Sequence, residues 1–289
     1  MTTELANVER LESKDALLAD EGLSYSALKL ANENPQLYEE IYVTKTRPRP
    51  SPTKQQEWGS ACEAYIRNRG IDDVLIIPPE VLNKDGHRKG KKWLDFAAAH
   101  GHHHLATQAE YDEVYGGFAA ALRNVQEHEH AKNLVLDGLV YDFERRPPVW
   151  HERLAWTCPL TGLRRKCEID LVHYKSCVAV DLKTAVNLDR DHFAKSAYDF
   201  GYDIQAATYL EALEMLTGKS DWLFVWVAIR NTPPHDVEVY EASDEFLNLG
   251  RQRHEAYLRR YVEMRESGIW RSETWGRTCT LYPPKWATV

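Results

Sequence analysis

The chain has 289 residues, with 43% hydrophobic and 28% charged side chains and a formal net charge of −8. That suffices for one large domain, or one domain with a substantial insertion, around a packed core. No run approaches the eighteen apolar residues of a membrane span, and the polar, acidic start is unlike an export signal, so cytoplasm is the expected location. Five cysteines at 62, 158, 167, 177 and 279 form no CxxC pair and read as reduced thiols, not a disulfide framework.

Residues 1–22 read as a weakly structured or helical lead-in, and 23–289 as a single domain. In LSYSALKL, Ser24 or Ser26 caps a helix whose Leu28 and Leu30 face inward. Asn34-Pro35 interrupts it, and RPRPSP (47–52) is a loop or extended linker. A helix restarts at QQEWGSACEAYI, with Trp58, Cys62, Tyr65 and Ile66 at helical spacing and Gly70 at its end. Residues 71–140 form a helical insert, with a short strand at VLII and helices near 91–100 and 107–131. His100, His102, His103 and His104 lie between those helices and read as solvated loop.

The segment 148–230 carries the strongest pattern. PVWHERLAWTC alternates, PLTG turns, and LRRKCEIDLVHY alternates again, which sets Cys167, Ile169 and Leu171 on one face and Lys166, Glu168 and Asp170 on the other. CVAVDLKT is a third strand, 190–217 a long helix, and DWLFVWVAIR a strand buried on both faces. VEVYEA is a further strand and 243–267 a charged amphipathic helix.

The fold class is therefore mixed α/β: helix, three-stranded meander, helix, strand, with added helices. Within it, Asp170 on the second strand and Asp181 on the third can lie side by side, and period-2 geometry places Lys183 on the face of Asp181. Two facing carboxylates repel unless a cation or proton separates them. Oxygen ligands with open water positions suit Mg²⁺, with Mn²⁺ as a substitute, and such an ion activates water for phosphodiester cleavage. Net charge counts against nucleic-acid binding, but positive clusters at 45–54, 84–92 and Arg164-Arg165-Lys166 offer local footholds.

ID-(x)10-DLK in this order of elements resembles the PD-(D/E)xK nuclease superfamily, whose core is that of restriction endonucleases. More narrowly, LSYSALKLANENPQLY, GSACEAYI, ERLAWTCPLTGLRRKCEIDL, VAVDLKTA and YDFGYDIQAATYLEAL resemble the RecE-like exonucleases (exodeoxyribonuclease VIII) of phages and prophages. The resemblance implies Asp170 and Asp181 as metal ligands, Lys183 as the residue positioning the attacking water, and Gln205 as the helix glutamine of the site. It implies a supporting role for Glu152 in an E-x-x-x-W first strand. Glu63 stands where a metal-binding histidine is usual, Ile169 where proline is, and Glu168 where arginine is. Tyr202, Gln205 and Tyr209 share one helix face, and Arg47, Arg49, Lys54 and Tyr202 are the expected DNA contacts.

The cysteine trio of iron–sulfur members of the superfamily is missing, so no iron–sulfur cluster is expected. The resemblance further implies 5′-to-3′ digestion of double-stranded DNA ends, a ring-like homo-oligomer, a single-strand annealing protein as partner, and a bacterial host cytoplasm.

Overall fold

The alternating strands of 148–241 assemble the centre of the molecule, which the computed structural model describes over residues 8–70, 74–100, 104–139 and 148–283. In chain order come β1 (Val8–Arg10), α1 (Lys14–Ala19), β2 (Leu23–Ser24), α2 (Tyr25–Glu33), α3 (Pro35–Tyr38) and α4 (Lys54–Arg67). Then follow β3 (Val74–Ile76), α5 (Lys91–His100), β4 (His104–Ala106), α6 (Gln108–Glu127) and α7 (Glu129–Lys132). The rest is β5 (Val149–Thr157), β6 (Arg164–His173), β7 (Val178–Ala185), α8 (Arg190–Phe200), α9 (Tyr202–Thr217), β8 (Leu223–Arg230), β9 (Val237–Glu241) and α10 (Asp244–Ser267).

The main sheet runs β1-β5-β6-β7-β8-β9, with β2 pairing parallel to β6. β5, β6 and β7 form the antiparallel meander, and β8 lies parallel to β7, so the chain must cross over between them, which α8 and α9 do. One face packs Ile169, Ala179 and Phe224 against Ala206, Leu210 and Leu213 of α9. The other packs Val178, Val180 and Val227 against Ile66 of α4 and Phe118 and Leu122 of α6. β8 is thus covered on both sides, the physical reason its sequence is almost wholly apolar. A third cluster joins Leu28 and Ala31 of α2 to Leu258 and Met264 of α10.

Local signals set several boundaries, the cap of α2 among those the sequence leads one to expect. The Ser24 hydroxyl caps α2 by accepting from the Ala27 amide, and Thr53 and Gln56 close a reciprocal capping box that starts α4 just after the proline-rich loop.

Other elements differ from the sequence reading. Residues 8–10, within the expected lead-in, form an edge strand antiparallel to β5. The expected helix over 190–217 is two helices, broken at Gly201, whose φ of 72° is left-handed and where a Cβ would lie 2.5 Å from the Tyr25 hydroxyl. Part of the 71–140 insert joins the core, since α6 buries Phe118, Ala121 and Val125 against the sheet side of α4. A two-stranded parallel sheet, β3–β4, also lies in this insert. Of the histidine group there, His102 and His103 fall outside the described residues.

The alternation expected along β6 also breaks. Cys167 and Ile169 lie in the core under α9, but Leu171 lies in the core under α4. On β5, Leu154 belongs to the first core while Trp150 packs on the second. Both strands therefore change sides between the pairs Glu152↔Ile169 and Trp150↔Leu171, the gap that His151 and Asp170 occupy. His151 has φ 53°, a left-handed conformation inside a strand.

Candidate active site

Asp181 leaves the buried run Val178–Val180 on β7 and is itself 1% exposed. The β6–β7 ladder ends at Leu171↔Val180, and the next step of that register sets Asp170 across from Asp181. Here Asp170 Oδ2 accepts a 2.9 Å hydrogen bond from the Leu182 amide. Lys183 Nζ lies 2.5 Å from Asp181 Oδ2 and 4.7 Å from the centre of the Tyr202 ring. From α9, Gln205 Nε2 donates to Asp181 Oδ1 at 3.1 Å and to the Tyr209 hydroxyl at 2.9 Å. The turn at Gly201 aims these α9 side chains. Tyr25 and Lys29 both donate to the Phe200 carbonyl just before it, at 2.8 and 2.7 Å.

The electrostatics are those of a site short of positive charge. Burial, then the charge of Asp181, push the Asp170 carboxyl well above the usual carboxylate range. Burial also raises Asp181, although Lys183 and Gln205 pull the other way. For Lys183, burial opposes the charge, but Asp181 and Asp170 outweigh it and hold the ammonium above its ordinary pKa. Lys183 is therefore a cation that orients and stabilises, not a free base, in this arrangement.

Two cavities, of about 780 and 550 Å³, open on either side and share Asp170, Lys183, Tyr202 and Gln205 in their walls. Glu63 of α4 lines the smaller one with Asp181. Burial raises its carboxyl, and the positive charge of Arg67 opposes that shift. Among the described residues, no three His, Cys, Asp or Glu side chains stand ready-made around one point to hold an ion. Mg²⁺ does not need such a cage; it is held by one or two carboxylates and completes its shell with water and substrate phosphate. Two buried carboxylates with the Lys183 ammonium against Asp181 fit that demand.

The structure brings together Asp170, Asp181, Lys183, Gln205, Tyr202 and Glu63, and separates the other candidates from them. Glu152 is buried away from both cavities, taking a 2.8 Å bond from Arg10 Nε. Its register partner is Ile169, and the change of sides at His151 points the neighbouring side chain at the site instead. Of the three basic DNA candidates, Arg49 lines the larger cavity, its guanidinium 4.9 Å from the centre of the Tyr42 ring. Arg47 is paired with Glu40 at 2.7 Å, and Lys54, the exposed first residue of α4, lines neither cavity.

The Arg164-Arg165-Lys166 cluster is largely spent inside the fold. Arg164 pairs with Glu9 and Asp20, both at 2.7 Å. Arg165 is fully buried, donating to the Leu23 carbonyl at 2.9 Å. Lys166 donates to the Leu17 carbonyl at 2.7 Å, though it also borders the larger cavity.

Three residues at the site were not legible in the sequence. Lys14 of α1 pairs with Glu168, which Arg153 also holds at 2.5 Å, so the negative charge expected to face the substrate is answered from two other elements. His151 of β5 meets Glu63 and Arg67, one turn apart on α4: His151 Nε2 lies 3.2 Å from Glu63 Oε1 and contacts the Arg67 guanidinium. No local pattern announces either meeting, since each joins elements far apart in the chain.

A model of a PDDEXK-like domain of unknown function (DUF3799) matches residues 148–277, the span from β5 through α10. A crystal structure of a protein from Eubacterium rectale, described as a candidate exonuclease, superposes with a TM-score of 0.56 at 16% identity, covering 86% of this chain and 83% of that one. Among curated proteins, none matches the sequence. With the meander, the crossover helices and the Asp170–Asp181–Lys183 placement, these likenesses establish that the chain has the PD-(D/E)xK fold.

Proposed function

We propose that this protein is a metal-dependent exodeoxyribonuclease that hydrolyses phosphodiester bonds of linear double-stranded DNA. The observation that carries the proposal is the pair of buried carboxylates, Asp170 and Asp181, with Lys183 beside them where two cavities meet. Asp170 and Asp181 would hold the ion. A bound Mg²⁺, or Mn²⁺ in its place, supplies Lewis acidity toward a phosphoryl oxygen and lowers the pKa of bound water. Gln205 fixes the orientation of Asp181. Lys183 presents an ammonium to the water and to the negative charge that grows on the phosphate. Lys45, Arg49 and Lys166 along the larger cavity offer positive charges to a polyanionic backbone, while Lys14 beside them answers Glu168.

The proposal includes 5′-to-3′ polarity, leaving 3′ single strands for annealing-type recombination, a ring-like homo-oligomer and a single-strand annealing partner. These finer features rest on the resemblance to RecE-like exonucleases. The likeness to the Eubacterium rectale protein is in keeping with an exonuclease. A phage or prophage origin, and action in the cytoplasm of a bacterial host, belong to the same proposal; among the described residues, no helix is long and apolar enough to cross a membrane.

One assay decides. Linear 5′-phosphorylated duplex and covalently closed circle are incubated with Mg²⁺ and wild type, Asp181→Ala or Lys183→Ala. Loss of the linear form alone, abolished by Asp181→Ala and slowed roughly a hundredfold or more by Lys183→Ala, supports the proposal. Cutting of the circle indicates an endonuclease. Binding without degradation in Mg²⁺ or Mn²⁺ indicates a DNA-binding protein and refutes the nuclease reading.

A further inference from the structure

His151 combines three properties that packing alone does not explain. It lies inside β5 at φ 53°, a conformation that costs a histidine backbone energy and that persists where the surroundings impose it. It stands at the point where β5 and β6 change sides, across from Asp170. Its ring reaches α4: Nε2 faces Glu63 Oε1 at 3.2 Å and meets the Arg67 guanidinium, while Nδ1 is buried with no hydrogen-bond partner among the described residues. Among the described residues, the polar contacts of the ring thus lie on its Glu63–Arg67 edge. Were His151 there to fill space, an asparagine or glycine would suit the backbone better.

Glu63 needs such a partner. It sits on a helix opposite the two strand carboxylates, and it lines the smaller cavity with Asp170 and Asp181. A glutamate carries three side-chain torsions, and ordering them toward the strands costs entropy. Resting on the nuclease reading above, we propose that His151 is a positioning residue: with Nε2 accepting from the Arg67 guanidinium, it holds Arg67 on the Glu63 side of α4, and the pair keeps the Glu63 carboxylate toward the cation bound by Asp170 and Asp181. Arg67 completes the arrangement from α4. This gives β5 a part in the site that its register alone assigns to no residue, and it explains why the strained conformation stands beside Asp170. Partners that orient a metal ligand affect affinity without touching the ion themselves.

The test is calorimetric titration of the full chain with Mn²⁺, alongside melting midpoints in EDTA and DNA cleavage. Wild type, His151→Asn, His151→Gly, Glu63→Gln and the His151→Asn/Glu63→Gln double variant are compared. Asparagine and glycine both tolerate φ 53°, so their midpoints in EDTA are expected at or above wild type. Mn²⁺ affinity is expected to fall roughly 10- to 100-fold in both histidine variants. Glu63→Gln should show a similar loss, and the double variant no more than Glu63→Gln alone, because both changes remove one coupled unit.

Affinity within twofold of wild type in His151→Asn overturns the proposal. So do losses that add in the double variant, or losses that track lowered midpoints across the series. If wild type binds Mn²⁺ and cuts DNA while His151→Asn matches it, only the role of His151 fails. If wild type neither binds Mn²⁺ nor cuts DNA, the nuclease reading fails with it.

Discussion

Replacing Asp170 by asparagine should make the cation-free protein more stable and the cation-loaded protein less so. Asparagine keeps the shape and can still accept the Leu182 amide through its carbonyl oxygen. The Asp181–Lys183 ion pair stays in place. What disappears is one of two buried negative charges. Side chains opposed across an antiparallel pair lie about 5 Å apart at Cβ. Two charges at about that distance repel by about 3 kcal/mol at an effective dielectric constant of about 20. Lys183 offsets part of this, which leaves a net gain of about 1–2 kcal/mol for Asp170→Asn in EDTA near neutral pH. In a chain of this size that is a rise of roughly 2–8 °C in melting midpoint.

Added Mg²⁺ should reverse the order, because wild type alone gains the binding energy, about 2.7 kcal/mol when the ion is at about a hundred times its Kd. The pH dependence has a definite sign. Burial and Asp181 raise the folded-state pKa of Asp170 above its unfolded value. Its contribution is therefore fully present below the usual carboxylate range and is lost as pH rises through the raised value. Wild type in EDTA should lose stability over that interval, and Asp170→Asn should show a flatter profile. Scanning calorimetry with EDTA or Mg²⁺ measures both effects. An Asp170→Asn protein that melts below wild type in EDTA would refute the claim that this carboxylate awaits a cation.

Three further predictions address the parts that hold and serve the site. Gln205→Leu removes the donor to Asp181 and the partner of the Tyr209 hydroxyl, so it should cost about 1–3 kcal/mol in denaturant unfolding. It should also slow cleavage more than it weakens DNA binding. Gly201→Ala places a Cβ 2.5 Å from the Tyr25 hydroxyl at φ 72°, and should destabilise by about 1–3 kcal/mol. Cleavage by Gly201→Ala should fall below what its folded fraction accounts for, since the turn aims Tyr202 and Gln205. Arg49→Ala should weaken DNA binding and reduce the slope of log affinity against log salt by about 0.9. Arg47→Ala should change that slope less, because Glu40 already pairs with Arg47. Equal slopes for the two variants would remove Arg49 from the DNA path.

Much of the fold is written locally. Period-2 alternation marks β5 and β6, the apolar run marks β8, and hydroxyl residues before helical stretches mark the starts of α2 and α4. Asp181 and Lys183 could be placed together because two residues apart on a strand means one face, and a charged DLK leaving a buried VAV is conspicuous without any structure. Asp170 follows from hairpin register, one step further from local information.

Tertiary structure decided the rest, for reasons that periodicity cannot carry. Strict alternation chooses Glu152 or its neighbour by parity, but the change of sides at His151 and Asp170 resets parity on both strands, and a left-handed histidine leaves no trace in the pattern. Gly201 inside an apolar helical stretch reads as a tolerated residue; only the Tyr25 hydroxyl packed against it shows that no side chain fits. Glu168 reads as a misplaced charge until Lys14, more than 150 residues earlier, arrives beside it. Arg165 reads as surface charge, yet it is buried because β2 and α10 close over it. The sequence by itself determined which residue types lie on which strands; the folded chain decided which charges meet, and therefore which of them are free to hold an ion.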